Sequence, residues 1–249
     1  RAARFAACLP DHAPAPELLD AMTGVNGAGV TQLLSAERVG QELSKALGCP
    51  DPGRFFSLLD RTGGLRPWFG ELAGTLEVPA GSGGGTLFEH TLRVIKELRG
   101  DRTAVWMGVC HALGCVGEET RETLCAGASP EAGVLRAEGM GSRLRLPKAL
   151  VRAGAVAARW TRAGVHYDQL SAPDKVDLLE RLWKAGLVQP FFVLVRACSG
   201  RNFQDPAQAD LQRLLAVRLP AAERNLGELS GRRLRSLRSQ AIAGGREPE

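Results

Sequence analysis

Apolar positions recur at intervals of three and four along almost the whole chain. QELSKALG (41–48), RFFSLLDRTG (54–63), LFEHTLRVIKEL (87–98), KVDLLERLWKAG (175–186) and ADLQRLLAVRL (209–219) all follow this rule. Such spacing lays one apolar stripe along a helix. No stretch alternates apolar and polar residues for long enough to make a strand. Leu, Ala and Arg dominate, and β-branched residues are sparse. The pattern predicts an all-α fold, an elongated array of roughly a dozen helices.

Punctuation supports these elements. Pro14 and Pro16 precede Glu17-Leu18-Leu19, Ser35 stands where it caps a helix from Ala36, and Asp51-Pro52 opens the helix carrying Phe55 and Phe56. Ala172-Pro173-Asp174 opens another. The strongest interruption is VPAGSGGGT, residues 78–86, with four glycines and a proline. It reads as a flexible linker and a domain boundary. The expected division is 1–78, 86–200 and 201–249, with a frayed end at GGREPE.

With 249 residues, the chain can bury a substantial core, and 44% hydrophobic with 24% charged residues is ordinary for a soluble protein. No apolar run reaches the ~18 residues of a membrane span, and no signal-like start is present. The first residue is Arg1, and RAARFAACLP reads as a helix already under way, so a piece of a longer protein is expected. The six cysteines lack the rhythm of a disulfide scaffold. Cys8, Cys110 and Cys198 read as small buried hydrophobes in a reducing, cytoplasmic setting.

The net charge of +5 matters through its placement. Residues 212–238 hold seven arginines against Glu223 and Glu228, a surplus equal to that of the whole chain. Within that stretch Arg232, Arg233, Arg235 and Arg238 are expected to point outward from Leu234, Leu237 and Ile242. Lys148, Arg152, Arg159 and Arg162 fall within about 40° either side of one helical direction. A rigid row of cations suits a phosphate backbone, although an arginine-rich surface also carries such rows merely as solvated faces. One tyrosine and 5% aromatic residues argue against a base-stacking platform for single strands.

Candidate catalytic chemistry is thin. His90 and His111 lie in amphipathic segments, but a catalytic metal needs about three or more converging ligands. Ala112 follows His111, where an aspartate would have supplied one. Cys115 lies four residues from His111, and Cys125 is the nearest further donor. Packed or hydrogen-bonded histidines are the simpler reading. There is no C-x-x-C pair, no G-x-S-x-G elbow, and the glycine run lacks the ending of a phosphate loop.

Several motifs, in order, resemble the bacterial-type tRNA nucleotidyltransferases (CCA-adding enzymes) and their poly(A) polymerase relatives. RAARFAACLP is similar to the helix after that family's nucleotide-reading motif, with Arg1 and Arg4-Phe5 matching its tail. In SAERVGQELSKAL, Glu37, Arg38 and Glu42 match an E-R-x-x-x-E pattern. DPGRFFSLLDRTGGLRPWFGEL resembles a further family run, with Gly70 where proline is usual. RLRLPKAL, VDLLERL and FFVLVRAC resemble successive helices of the family's body.

The resemblance implies a neck at 1–78, a body at 86–200 and a basic tail at 201–249, behind a catalytic head that this chain lacks. That head would hold paired carboxylates, Mg²⁺ and the CTP or ATP from which nucleotides are added to tRNA 3′ ends. These residues by themselves are expected to be inactive, with no catalytic residue and no cofactor of their own. By the same resemblance Arg38 lies near the nucleotide, oriented by a salt bridge from Glu37. Arg1, Arg4, Lys148, Arg152, Arg159, Arg162, Arg232, Arg233, Arg235 and Arg238 face the acceptor and T arms of tRNA. One branch carries an HD phosphohydrolase domain in the body, and His90 and His111 match its first two histidines. Ala112 stands for the aspartate, ASPEAGV for a Gly-His-Glu, and ACSGRN for the place of the last aspartate. His166 is similar to a remnant of the later histidines. The implied body is therefore a degenerate HD domain with vestigial His90 and His111 and no metal. The alternatives are an active HD-type metal-dependent phosphohydrolase and a non-catalytic RNA-binding module.

Overall fold

Helix caps set the element boundaries in the computed structural model, which describes residues 1–80, 84–115 and 129–244. Thirteen α-helices and no strand are found among the described residues, so the chain is all-α. In order they are α1 (Ala2–Cys8), α2 (Pro16–Gly27), α3 (Ala36–Ala46), α4 (Gly53–Arg61), α5 (Arg66–Ala73), α6 (Leu87–Glu97) and α7 (Arg102–Cys110). There follow α8 (Pro130–Arg143), α9 (Lys148–Val165), α10 (Ala172–Ala185), α11 (Val188–Ser199), α12 (Gln204–Ala216) and α13 (Glu228–Ala243).

Pro16 takes the first turn of α2, where a missing N–H costs nothing. Thr86 and Glu89 form a capping box on α6, each side chain bonding the other's backbone N–H at 3.2 and 2.9 Å. Asp101 caps α7 and Ser171 caps α10. Ser35 occupies the N-cap of α3 without making a side-chain bond there. Left-handed glycines end α10 at Gly186 and α11 at Gly200.

The chain divides into two compact units, Arg1–Thr161 and Arg162–Glu249. The division falls within α9, while residues 78–86 lie inside the first unit. Both sides of that glycine-rich stretch are held: Leu87 N–H donates to Val78 O at 2.7 Å, and Ala80 N–H donates to Gly85 O at 2.9 Å.

In the first unit α1 packs on α3 and α4, α4 on α6, α6 on α7, and α5 on α8. Phe55, Phe56 and Phe69 meet edge to face, with centroids 5.2 to 5.9 Å apart. Each such pair contributes ~0.5–1.5 kcal/mol beyond area burial. Helix α7 is buried from Ala104 through Cys110, as befits a sequence apolar on every side.

Cys110 behaves as expected, a buried free thiol pushed up by burial and by the Glu71 charge. Cys8 does not. Instead of a solitary small hydrophobe it is bonded to Cys49, with Cα atoms 4.6 Å apart. The end of α1 and the turn after α3 are drawn together there, and Asp51 N–H donates to Ala7 O at 3.1 Å. A separation of 41 residues leaves no local signal for that pairing.

In the second unit α10 packs on α11, α12 and α13, and α12 on α13. Its core includes Leu178, Leu179, Leu182, Phe191, Phe192 and Leu214. A buried polar network joins α10 to α12. Asp210 accepts from Tyr167 Oη and Lys175 Nζ, both at 2.9 Å, and from Arg213 Nη1 at 2.9 Å. With its charge paired and its lone pairs occupied, Asp210 can stay buried.

Candidate nucleic-acid interface

Helix α3 is strongly amphipathic: Gly40, Leu43 and Ala46 face the core. Its opposite side offers Arg38, Glu42 and Lys45, which fall at helical offsets 0, 4 and 7 and so share one direction. Together with Arg1 they line a cleft of about 250 Å³. Its apolar lining is Leu34, Val39, Phe55, Leu59, Trp68 and Phe69, of which Phe55 and Phe69 are buried and Leu34 is exposed. Trp68 Nε1–H donates to Thr31 O at 2.8 Å. The Thr31 hydroxyl, which also lines the cleft, is enclosed and has no partner.

Electrostatics within the cleft are uneven. Arg4 Nε–H donates to Glu42 at 2.8 Å, and its guanidinium lies 4.3 Å from the Phe5 ring centre. Burial alone would raise the Glu42 pKa, but the Arg4 hydrogen bond and the charges around it, Lys45 included, hold the carboxyl below its usual range. Glu42 is thus ionised, and Arg1, Arg38 and Lys45 outnumber it. A cationic rim over an apolar, partly aromatic floor can take a flat ring below and a phosphate above.

The expected Glu37–Arg38 salt bridge is absent. Glu37 lies 3.8 Å from Arg145, and Arg38 makes no ion pair. Neighbours in a helix diverge by about 100°, so adjacent side chains cannot face one another. Arg38 is free to address a ligand in the cleft. Arg4 is largely spent on Glu42.

Along α9, Lys148 and Arg152 are exposed and carry no ion pair, whereas Arg159 donates to Glu131 at 2.6 Å. Arg162, also exposed, is the first residue of the second unit. The tail arginines are engaged. Arg232 pairs with Glu228 at 2.9 Å, Arg233 with Glu223 at 3.0 Å, and Arg238 with Glu180 at 3.4 Å. Arg235 forks onto both oxygens of Asp177 at 2.7 Å. Leu234, Leu237 and Ile242 do lie on the covered side of α13, but Arg238 does not point outward as expected: it is largely covered beside Glu180, while Arg232, Arg233 and Arg235 are exposed.

His90 and His111 come together, with ring centres 5.4 Å apart. His111 Nδ1 lies 2.6 Å from Gly108 O, which makes Nδ1–H the donor and leaves Nε2 as the acceptor. Burial, with the nearby His90, lowers the His111 pKa to about 4 despite that bond. Burial and Arg93 also lower His90. Ala112 is 4% exposed, and no carboxylate of a described residue joins the pair. Cys125 lies outside the described residues.

Sequence reasoning missed Lys45 as a cleft residue, although its seven-residue spacing from Arg38 was a readable signal. It also missed Thr31 and Trp68, for which no local pattern exists. No helix of the described residues is long and apolar enough to cross a membrane.

No protein-family model matches the chain. It is 32% identical over 246 residues to a multifunctional CCA protein of Verminephrobacter eiseniae, covering 90% of this chain and 56% of that protein. A multifunctional CCA protein of Nitrosococcus oceani is 33% identical over 189 residues, 73% of this chain and 46% of its own. A CCA-adding enzyme of Coxiella burnetii is 40% identical over 72 residues, 29% of this chain and 19% of its own. The chain spans about half the length of the first two relatives.

Proposed function

We infer that this chain belongs to the CCA-adding family of tRNA nucleotidyltransferases and forms the helical, RNA-gripping portion of such an enzyme. Relatives named multifunctional CCA protein and CCA-adding enzyme support the family, one of them matching 90% of the chain. The intact protein adds CTP- and ATP-derived nucleotides to tRNA 3′ ends, and it works in the cytoplasm.

The observation that carries the assignment of roles is the α3 cleft, where Arg1, Arg38 and Lys45 stand above an apolar floor. In this reading Arg38 meets a phosphate near the growing 3′ end, and Glu42 anchors Arg4 beside it. Lys148 and Arg152 are uncommitted cations and bear on the tRNA backbone. The 1–78, 86–200 and 201–249 stretches act as neck, degenerate HD-like body and tail. Mg²⁺ would be needed for nucleotidyl transfer, but the described residues gather no cluster of carboxylates to hold it. No step of that chemistry is assigned to them.

The test is binding of an uncharged tRNA transcript lacking its CCA end, measured by fluorescence polarisation from about 50 to 200 mM salt. Affinity should fall steeply, the logarithm of the binding constant declining linearly with the logarithm of salt. Absence of binding at low salt, or binding indifferent to salt, would sink the reading.

A further inference from the structure

A second, wider cleft of about 430 Å³ opens in the first unit between α5 and α8. Arg66, Arg136 and Arg143 converge on it with one carboxylate, Glu71, so positive charge is in surplus. The three arginines have different commitments. Arg143 donates from Nη1 to Glu71 Oε1 at 2.9 Å and from Nη2 to Glu71 Oε2, and it also reaches Trp68 O at 3.0 Å. It is a fixed wall. Arg136 spends one nitrogen on Leu113 O at 2.9 Å and keeps its other donors. Arg66 is exposed and makes no hydrogen bond or ion pair.

The rest of the lining, Pro67, Gly70 and Gly74, adds no bulk. A Cβ placed on Gly70 would meet nothing within 4 Å. Planar guanidinium groups with spare N–H donors favour an oxyanion that can accept two bonds at once, which is the geometry of a phosphate. The cleft is too open and too charged for an apolar ligand. Its location matters as well. Arg143 ends α8 and Lys148 begins α9, with only residues 144–147 between them. Five residues span at most about 18 Å even when fully extended. A polyanion seated in the cleft can therefore run on to the free cations Lys148 and Arg152, which a single small anion cannot do.

We propose that the α5–α8 cleft seats a phosphodiester of the same RNA strand that meets Lys148 and Arg152, with Arg66 and Arg136 as its direct donors. This rests on the tRNA-binding function proposed above. The experiment uses the full-length protein and the same CCA-lacking transcript, with the salt series run on Arg66→Ala/Arg136→Ala, on Gly70→Glu, and on Gly70→Ala. Gly70→Glu leaves every arginine in place and sets a carboxylate in the cleft, so it tests the site even if the arginine variant melts early. Circular dichroism melts accompany each variant. The arginine variant should bind about tenfold more weakly at low salt, with a salt slope smaller by about 1 to 2, as expected for one or two lost phosphate contacts. Gly70→Glu should weaken binding similarly, and Gly70→Ala should match wild type. Binding of CTP and ATP alone should be unchanged throughout.

Wild-type affinity and slope in both the arginine variant and Gly70→Glu would overturn the proposal and leave the tRNA function standing. Loss of CTP or ATP binding with tRNA binding intact would overturn it in favour of a mononucleotide site. If wild-type protein itself shows no salt-dependent tRNA binding, the functional reading fails first and this inference goes with it.

Discussion

At position 112 a small apolar side chain, 4% exposed, sits next to a half-buried imidazole. The histidine beside it is held by Gly108 O and by burial in a neutral state, its pKa lowered to about 4. The consequence for stability has a definite sign. In the unfolded chain a histidine takes up its proton near pH 6.5, whereas folded His111 does not until about pH 4. Between those values the unfolded state binds more protons. Stability is therefore complete above the upper value and declines as pH falls toward the lower one. The contribution is at most about 3 kcal/mol, and less to the extent that the exposed ring edge meets water. Denaturant unfolding of wild type and His111→Gln at about pH 7.5 and about pH 4.5 measures it through the pH dependence of stability. The variant should lose less stability on acidification, and parallel losses in both proteins would refute the assignment. Arg38 and Glu37 teach a related lesson. Their motif was readable in the sequence, but the partner of Glu37 is Arg145, 108 positions along, which no local pattern announces.

Among the elements, helix α8 shows how two identical residues can differ in role. A Cβ on Gly133 would lie 2.8 Å from Gly114 Cα and 2.9 Å from Gly114 N, so the two backbones touch because both residues are glycine. Gly139, on the same helix, has nothing within 4 Å and is exposed. Gly133→Ala should destabilise by about 1–3 kcal/mol through overpacking against backbone. Gly139→Ala should stabilise by ~0.5–1 kcal/mol, since alanine gives up less chain entropy than glycine in a helix. Thermal melts of the two variants should move in opposite directions. A shift in the same direction would mean that the Gly133–Gly114 contact is not close. Periodicity locates such a helix but says nothing of which glycine meets a neighbour. Helix α2 marks the same boundary of legibility. Its pattern and its proline start were plain, yet it buries no residue, and Leu18 and Val25 remain 42% and 45% exposed.

Across the whole chain, the surplus of positive charge is concentrated by sequence in 212–238, but its availability is distributed differently. Arg232, Arg233, Arg235 and Arg238 each have an acidic partner in their own unit, whereas Lys148 and Arg152 have none. An arginine already forked onto a carboxylate must give up that pairing to bind a phosphate. Lys148→Ala/Arg152→Ala should therefore lower tRNA affinity and reduce the salt slope by about 1 to 2, while Arg235→Ala changes both far less. A larger effect from Arg235→Ala, in the same polarisation assay, would place the grip on the tail instead. Hydrophobic spacing, proline and glycine punctuation and the order of motifs were enough to establish an all-α chain and its resemblance to CCA-adding enzymes. The all-α class is a property of neighbours within a few residues, where helical geometry acts directly, whereas the resemblance rests on the order of motifs along the chain. Tertiary packing alone decided the Cys8–Cys49 contact, the Tyr167–Lys175–Asp210 network, and which of many arginines remain free. Apart from Arg232 and Glu228, four positions apart on one helix, these depend on side chains well separated in sequence meeting or missing one another, and pairing of that kind leaves no period in the sequence.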